Sequence, residues 1–203
     1  MARPKHRTRR GATYFVTTDT WQGRGLFRNT AIASIVESAI FRYRDEGNYL
    51  VHRHVIMPDH IHVILTPTHT TTLEKSMQLI KGGSSREIGK RPGMRFPVWN
   101  AGFTEHQIRD RLDFDSHVKY IDENPAKRCL ATMPNEYPYG SAAEKFRLDS
   151  WPVASGAEAP ERGVPATAGL KPRPSVAAGK GSLWAQYRIG LAARRLGMTT
   201  RVR

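Results

Sequence analysis

His60-Ile61-His62 places two imidazoles two residues apart within a run of β-forming residues, YLVHRHVIMPDHIHVILTP, from Tyr49 to Pro67. On an extended strand such residues share a face, so both rings can reach one divalent cation. By itself a His-x-His reads more simply as two ordinary strand histidines, because a metal site needs further ligands. A second pair, His52-Arg53-His54, lies just upstream and competes for the same role. Further along, Tyr120 and Asn124 are one helical turn apart. Together with many basic residues, these groups suit one kind of chemistry. A side-chain hydroxyl can attack phosphorus and open a phosphodiester without water, provided a divalent metal polarises the phosphoryl oxygens. Phenol leaves more readily than an alkanol, so the covalent ester can be resolved again and the energy of the broken bond is kept. No nucleotide cofactor is required, and the sequence contains no GxxxxGK[ST] loop.

Charge points to the same substrate. Among 203 residues there are 32 Lys+Arg against 18 Asp+Glu, a net charge of +14. Such an excess without a long apolar run favours nucleic acid over a membrane as the partner. The single cysteine, Cys129, excludes an intrachain disulfide and a cysteine-based zinc cluster. No apolar segment follows the first positive charges, so a secretory signal is not expected and a cytoplasmic, nucleoid-associated location is.

The elements that must position these residues follow in order. Residues 1–12 read as a basic arm, in which Arg3, Lys5 and Arg7 are candidates to lie along phosphates. TYFVTT, Thr13 to Thr18, is the first strand. Asn29 or Thr30 caps a helix with Ile32, Ile35, Val36, Ala39, Ile40 and Tyr43 on one stripe, stopping at Gly47. The histidine-bearing hairpin turns at Pro58-Asp59, with His60, His62 and Ile64 on one face and Ile61, Val63 and Leu65 on the other. A second helix carries Leu73, Met77 and Ile80 and ends at Gly82-Gly83. Ser84 to Arg95 then forms a mobile basic loop with Arg86 as a phosphate candidate. Val98-Trp99 and Phe103 to Arg109 supply the last strand. A third helix, capped by Asp113 or Asp115, carries Phe114, Val118 and Ile121 and runs to the Asn124-Pro125 step. From Trp151 to about Ser182 the composition shifts to Ala, Gly, Pro and Ser and cannot bury a core, so a disordered linker is expected. The expected organisation is an arm (1–12), a catalytic domain (13–146) and an extension (147–203).

Read in order, PDHIHVIL, WNAGFTEHQIRD and VKYIDENPAKRCL resemble the single-tyrosine HUH transposases, and within them the REP-associated tyrosine transposase branch. The resemblance spans roughly Arg3 to Ala142, including GATYFVTT and YPYGSA. It implies an α+β fold, a ferredoxin-like antiparallel sheet flanked by helices. It implies that His60 and His62 are metal ligands, with Asn124 completing the site. Tyr120 would be the nucleophile that forms a 5′-phosphotyrosine and frees a 3′-hydroxyl. The implied ion is Mg²⁺ or Mn²⁺, although imidazole alone favours a transition metal. The implied substrate is single-stranded DNA carrying imperfect hairpins, bound by a monomer or a homodimer. Arg109, Arg111, Lys127 and Arg128 lie near the proposed site in sequence and are phosphate-contact candidates.

Two other classes compete. A metal-dependent hydrolase that uses water normally shows a richer cluster such as HxHxDH, whereas Val63-Ile64-Leu65 follow His62. A non-catalytic basic DNA-binding protein explains the charge but leaves the placement of His60, His62, Tyr120 and Asn124 to chance.

Overall fold

Strand alternation and helix periodicity become layers in the computed structural model, which describes residues 8, 9 and 11–151. The elements are β1 (Tyr14–Asp19), α1 (Thr30–Asp45), β2 (Tyr49–Ile56), β3 (His60–Pro67), α2 (Leu73–Gly89), β4 (Thr104–Gln107) and α3 (Arg111–Lys127). The strands form one antiparallel sheet in the order β2-β3-β1-β4. That connectivity and order are ferredoxin-like, with α3 added after the last strand, so the expected α+β class holds.

Each face of the sheet has its own core. Ile61, Val63 and Leu65 of β3 pack with Tyr14, Val16 and the apolar stripes of α1 and α2. Ile64 instead packs with Phe15, Val55 and the α3 residues Phe114 and Ile121. His60 and His62 share the parity of Ile64, so they face α3. The hairpin between β2 and β3 closes where the Met57 amide donates to the His60 carbonyl at 2.8 Å. Asp59 is pinned at that turn, its carbonyl accepting from the Thr20 amide at 2.8 Å and the Thr20 hydroxyl at 3.0 Å.

Helix boundaries follow their caps. The Asn29 side chain accepts from the amides of Ala31 and Ile32 and starts α1, and Gly47 takes a positive φ of 78° just after it. Helix α2 does not end at Gly82-Gly83 but continues to Gly89. Gly83 is there for close approach: a Cβ at that position would lie 2.5 Å from the Tyr43 hydroxyl of α1. The segment from Ser84 to Gly89 is therefore helix rather than mobile loop. Ser84 is buried, its hydroxyl donating to the Ile80 carbonyl at 2.7 Å and accepting from the Trp99 indole at 3.1 Å. Trp99 itself is buried in the core against Phe27.

Helix α3 starts earlier than expected. Its cap is Asp110, whose carboxylate accepts from the Asp113 amide at 2.8 Å, rather than Asp113 or Asp115. It also passes through Pro125, because so near the helix end only one ladder bond is lost. The last turn is closed by Arg128 N–H to Asn124 O at 3.1 Å and Leu130 N–H to Pro125 O at 2.9 Å. Trp151 does not open a linker: it stacks on Phe114 with ring centroids 4.9 Å apart, and its indole donates to Thr13 at 3.1 Å. Arg3, Lys5, Arg7 and residues 152–203 lie outside the described residues.

The two adjacent glycines of α2 give a paired test. Gly82 is exposed with nothing near a built Cβ, so Gly82→Ala is expected to stabilise by up to about 1 kcal/mol through helix propensity. Gly83→Val drives a side chain into Tyr43 and is expected to destabilise by about 1–3 kcal/mol. Urea unfolding midpoints of the two variants should move in opposite directions.

Candidate active site

The central strand β3 holds its two histidines in one orientation through their Nδ1 atoms. His60 Nδ1 lies 2.5 Å from Asp59 Oδ1, and His62 Nδ1 lies 2.7 Å from the Thr17 hydroxyl of β1. The Asp59 carboxylate accepts a hydrogen bond from His60 Nδ1–H, which leaves the His60 Nε2 lone pair free to bind a cation. His62 Nε2 is buried and has no hydrogen-bond partner among the described residues. Burial, then the neighbouring His60 and Arg128, push the His62 imidazole well below its ordinary value, so the ring is neutral. Burial works against the Asp59 carboxylate, yet its hydrogen bond to His60 and the nearby His60 and Arg128 hold it below the usual range. An orphaned, neutral imidazole nitrogen beside a carboxylate-oriented one fits a divalent cation well.

Helix α3 crosses this face and brings its polar flank to the histidines. The Tyr120 ring sits 5.2 Å from the His62 ring, with their planes at 70°. Phe15 meets Tyr120 edge-on at 5.8 Å and stacks on His62 at 5.3 Å, so it props both. Asn124, one turn beyond Tyr120, is buried at the end of the same helix. His60 and His62 are themselves 4.7 Å apart by ring centroid. Two adjacent imidazole lone pairs can ligate a borderline cation, and the Tyr120 ring stands beside one of them.

The rival pair is split by the backbone. The ladder between β2 and β3 slips between Val51 and Arg53, making His52 the extra residue of a bulge. His52 turns toward α3, 6.0 Å from the Phe114 ring, with its nitrogens 2.9 Å from the Asp149 carbonyl and 2.8 Å from the Thr66 hydroxyl. His54 turns the other way, into α1, where it meets Phe41 and lies 3.4 Å from Glu37. These two rings cannot share an ion.

The basic candidates are dispersed. Arg128 caps α3 next to Asn124 and is close enough to influence both Asp59 and His62. Lys127 and Arg111 are exposed and pair within α3 to Glu123 and Asp115, each at 2.9 Å, and Arg109 is exposed just before the helix. Arg86 lies on α2, across the sheet from Tyr120, so the structure does not bring it to this site. Sequence spacing missed another group on the α3 face, His106 of β4 with Asp113 and His117 of α3. The four-residue step from Asp113 to His117 on a helix was the available signal.

Paired histidines on the central strand of a ferredoxin-like sheet thus face a helix-borne tyrosine. The family model described as Transposase IS200 like matches residues 14–124, and the chain belongs to that family, whose members include tyrosine transposases. The chain is 25% identical over 145 residues to the REP-associated tyrosine transposase of Escherichia coli (strain K12), a match covering 71% of this chain and 84% of that protein. Its fold is similar to a solved REP-associated tyrosine transposase bound to a REP hairpin, with a TM-score of 0.60 at 22% identity, covering 81% of this chain and 99% of that one. No helix among the described residues is long and apolar enough to cross a membrane.

Proposed function

We propose that the protein cleaves and rejoins single-stranded DNA beside repetitive hairpins through a 5′-phosphotyrosine intermediate, with Mg²⁺ or Mn²⁺ held by His60, His62 and Asn124. The observation that carries this reading is the buried, unpartnered Nε2 of His62 facing the helix that bears Tyr120. The cation, when bound, supplies polarisation of the phosphoryl oxygens. Tyr120 Oη attacks phosphorus, the P–O3′ bond breaks, and the proton lost by the phenol is gained by the leaving 3′-oxygen. Attack by a 3′-hydroxyl on the phosphotyrosine reverses the step and returns the proton to Tyr120. Phe15 and Thr17 hold the ring and the ligand in register, since each touches the site from β1. Arg128, beside the histidines, is placed to offset phosphate charge, and Arg109, Arg111 and Lys127 provide weaker contacts along α3. The catalytic unit runs past residue 146 to include Asp149 and Trp151, which are bonded into the sheet and α3, and it acts on nucleoid DNA without a nucleotide cofactor.

The test is direct. Purified protein incubated with Mn²⁺ and a 5′-labelled or 3′-labelled hairpin oligonucleotide should give a denaturation-resistant protein–DNA adduct that retains the label 3′ to the cut. Cleavage with no adduct would instead indicate attack by water. Binding with neither cleavage nor adduct would leave a DNA-binding protein.

A further inference from the structure

His106, Asp113 and His117 offer one ligand atom each, all within 4.8 Å of one another. His106 Nε2 lies 2.9 Å and 3.1 Å from the two Asp113 carboxylate oxygens. His117 Nδ1 lies 3.1 Å from Asp113 Oδ1. The two imidazoles stack with centroids 4.7 Å apart and planes at 17°. Ligands bound to one zinc-sized ion at about 2.0–2.1 Å in a tetrahedron are about 3.3 Å apart. The nitrogen-to-oxygen separations seen here are already close to that edge length. His117 Nδ1 also lies 2.8 Å from the Asp113 carbonyl, so an ion bound at Nδ1 displaces the proton it donates there. Asp113 is oriented by the Arg109 amide, which donates to its carboxylate at 3.1 Å. A carboxylate held by a backbone N–H between two imidazoles has the second-sphere support typical of a ligand.

We propose that His106, Asp113 and His117 form a site for a tetrahedral transition-metal ion of the Zn²⁺ or Co²⁺ type, with water as the fourth ligand. Two imidazoles with one carboxylate suit such ions better than Mg²⁺, which prefers oxygen donors and water. This site is separate from the one at His60 and His62. The Phe15 ring stands between them, 4.7 Å from His117 and 5.3 Å from His62 by ring centroid. Co-catalytic ions sit about 3.5–4 Å apart, with no room for an aromatic ring between them, so the second ion is structural. It clips the edge strand β4 to the first turns of α3. His117 precedes Tyr120 by three residues on α3, so the clip also fixes the segment that carries the tyrosine. The ion site is independent of the role of Tyr120, and only this last consequence rests on the proposed function.

Cobalt makes the site visible, because tetrahedral Co²⁺ absorbs strongly in the visible range and octahedral Co²⁺ does not. In the His60→Ala/His62→Ala variant of the full chain, one equivalent of Co²⁺ is expected to bind with a tetrahedral spectrum that Zn²⁺ abolishes. The His106→Gln/His117→Gln variant should lose that spectrum, and Asp113→Asn should weaken the affinity by at least about tenfold. Metal analysis of the wild-type protein after dialysis against Zn²⁺ gives a readout that needs no variant to fold: more than one equivalent is expected. Zn²⁺ should also raise the wild-type unfolding midpoint but not that of His106→Gln/His117→Gln. A folded His60→Ala/His62→Ala protein without the tetrahedral spectrum, or a wild type whose bound Zn²⁺ is not reduced by one equivalent in His106→Gln/His117→Gln, would overturn the proposal. Loss of the DNA adduct with this spectrum intact would count against the proposed function and not against the second site.

Discussion

Tyr120→Phe is expected to abolish the covalent DNA adduct and to reduce strand cleavage by about 10⁴-fold or more, the scale on which removing a nucleophile usually acts. The substitution deletes one oxygen and keeps the ring. Its packing against His62 and Phe15 is therefore retained, at centroid distances of 5.2 Å and 5.8 Å. Unfolding free energy should change by less than about 1 kcal/mol, because no net gain from a buried hydrogen bond is removed. Hairpin binding, measured by gel shift in Mg²⁺, should stay within about twofold. The combination of retained binding, retained stability and lost adduct separates a nucleophile from a packing residue. An adduct that persists in Tyr120→Phe would refute the assignment, and Tyr137 and Tyr139 would then have to be tested in turn.

His62→Ala is expected to raise the Kd for Mn²⁺ by about 100-fold or more and to abolish the adduct, since even outer-sphere losses at metal sites reach that range. His54→Ala is the informative contrast. His54 is buried against Glu37 on the α1 side of the sheet, so its loss should leave Mn²⁺ affinity within about twofold. It should nonetheless destabilise the fold by about 1–3 kcal/mol, because Glu37 loses its partner in the core. Isothermal titration and chemical denaturation on the same samples distinguish the two outcomes. The pH dependence has a definite sign. His62 titrates well below its ordinary 6.5 in the folded state, so on acidification the unfolded chain takes up that proton first. In the metal-free protein the contribution of His62 to stability is complete above pH 6.5 and declines as pH falls toward the folded-state value. Competition between protons and a metal at His62 should likewise begin only well below 6.5.

Alternation along β3 was enough to place His60 and His62 on the same face as Ile64, and helical spacing was enough to set Tyr120 and Asn124 on one flank of α3. Both readings depend on regular local geometry, which a sequence encodes directly. Gly82-Gly83 misled for a physical reason. Glycine is a poor helix former, but at Gly83 it answers to the Tyr43 side chain of a neighbouring helix, a contact absent from the local pattern. His52-Arg53-His54 has the same spacing as His60-Ile61-His62, and only the ladder with β3 shows that one of its rings is turned away. The grouping of His106 with Asp113 and His117 depends on the pairing of β4 with β1 and on where α3 begins, and Asp110 rather than Asp113 decides the latter.

The extra residue in β2 bears on what the strand is for. Val51 pairs with Leu65 and Arg53 with Ile64, so omitting His52 would leave every pairing between β2 and β3 in place. The sheet therefore gains nothing from it. What the added position supplies is an imidazole turned out of the ladder toward Asp149 and Thr66. Thr66 in turn touches Thr13, which receives the Trp151 indole. The irregularity is thus an anchoring post: β2 gives up regularity at one residue so that the segment around Asp149 and Trp151 is moored to β2 and β3, to Thr13 just before β1 and to Phe114 of α3.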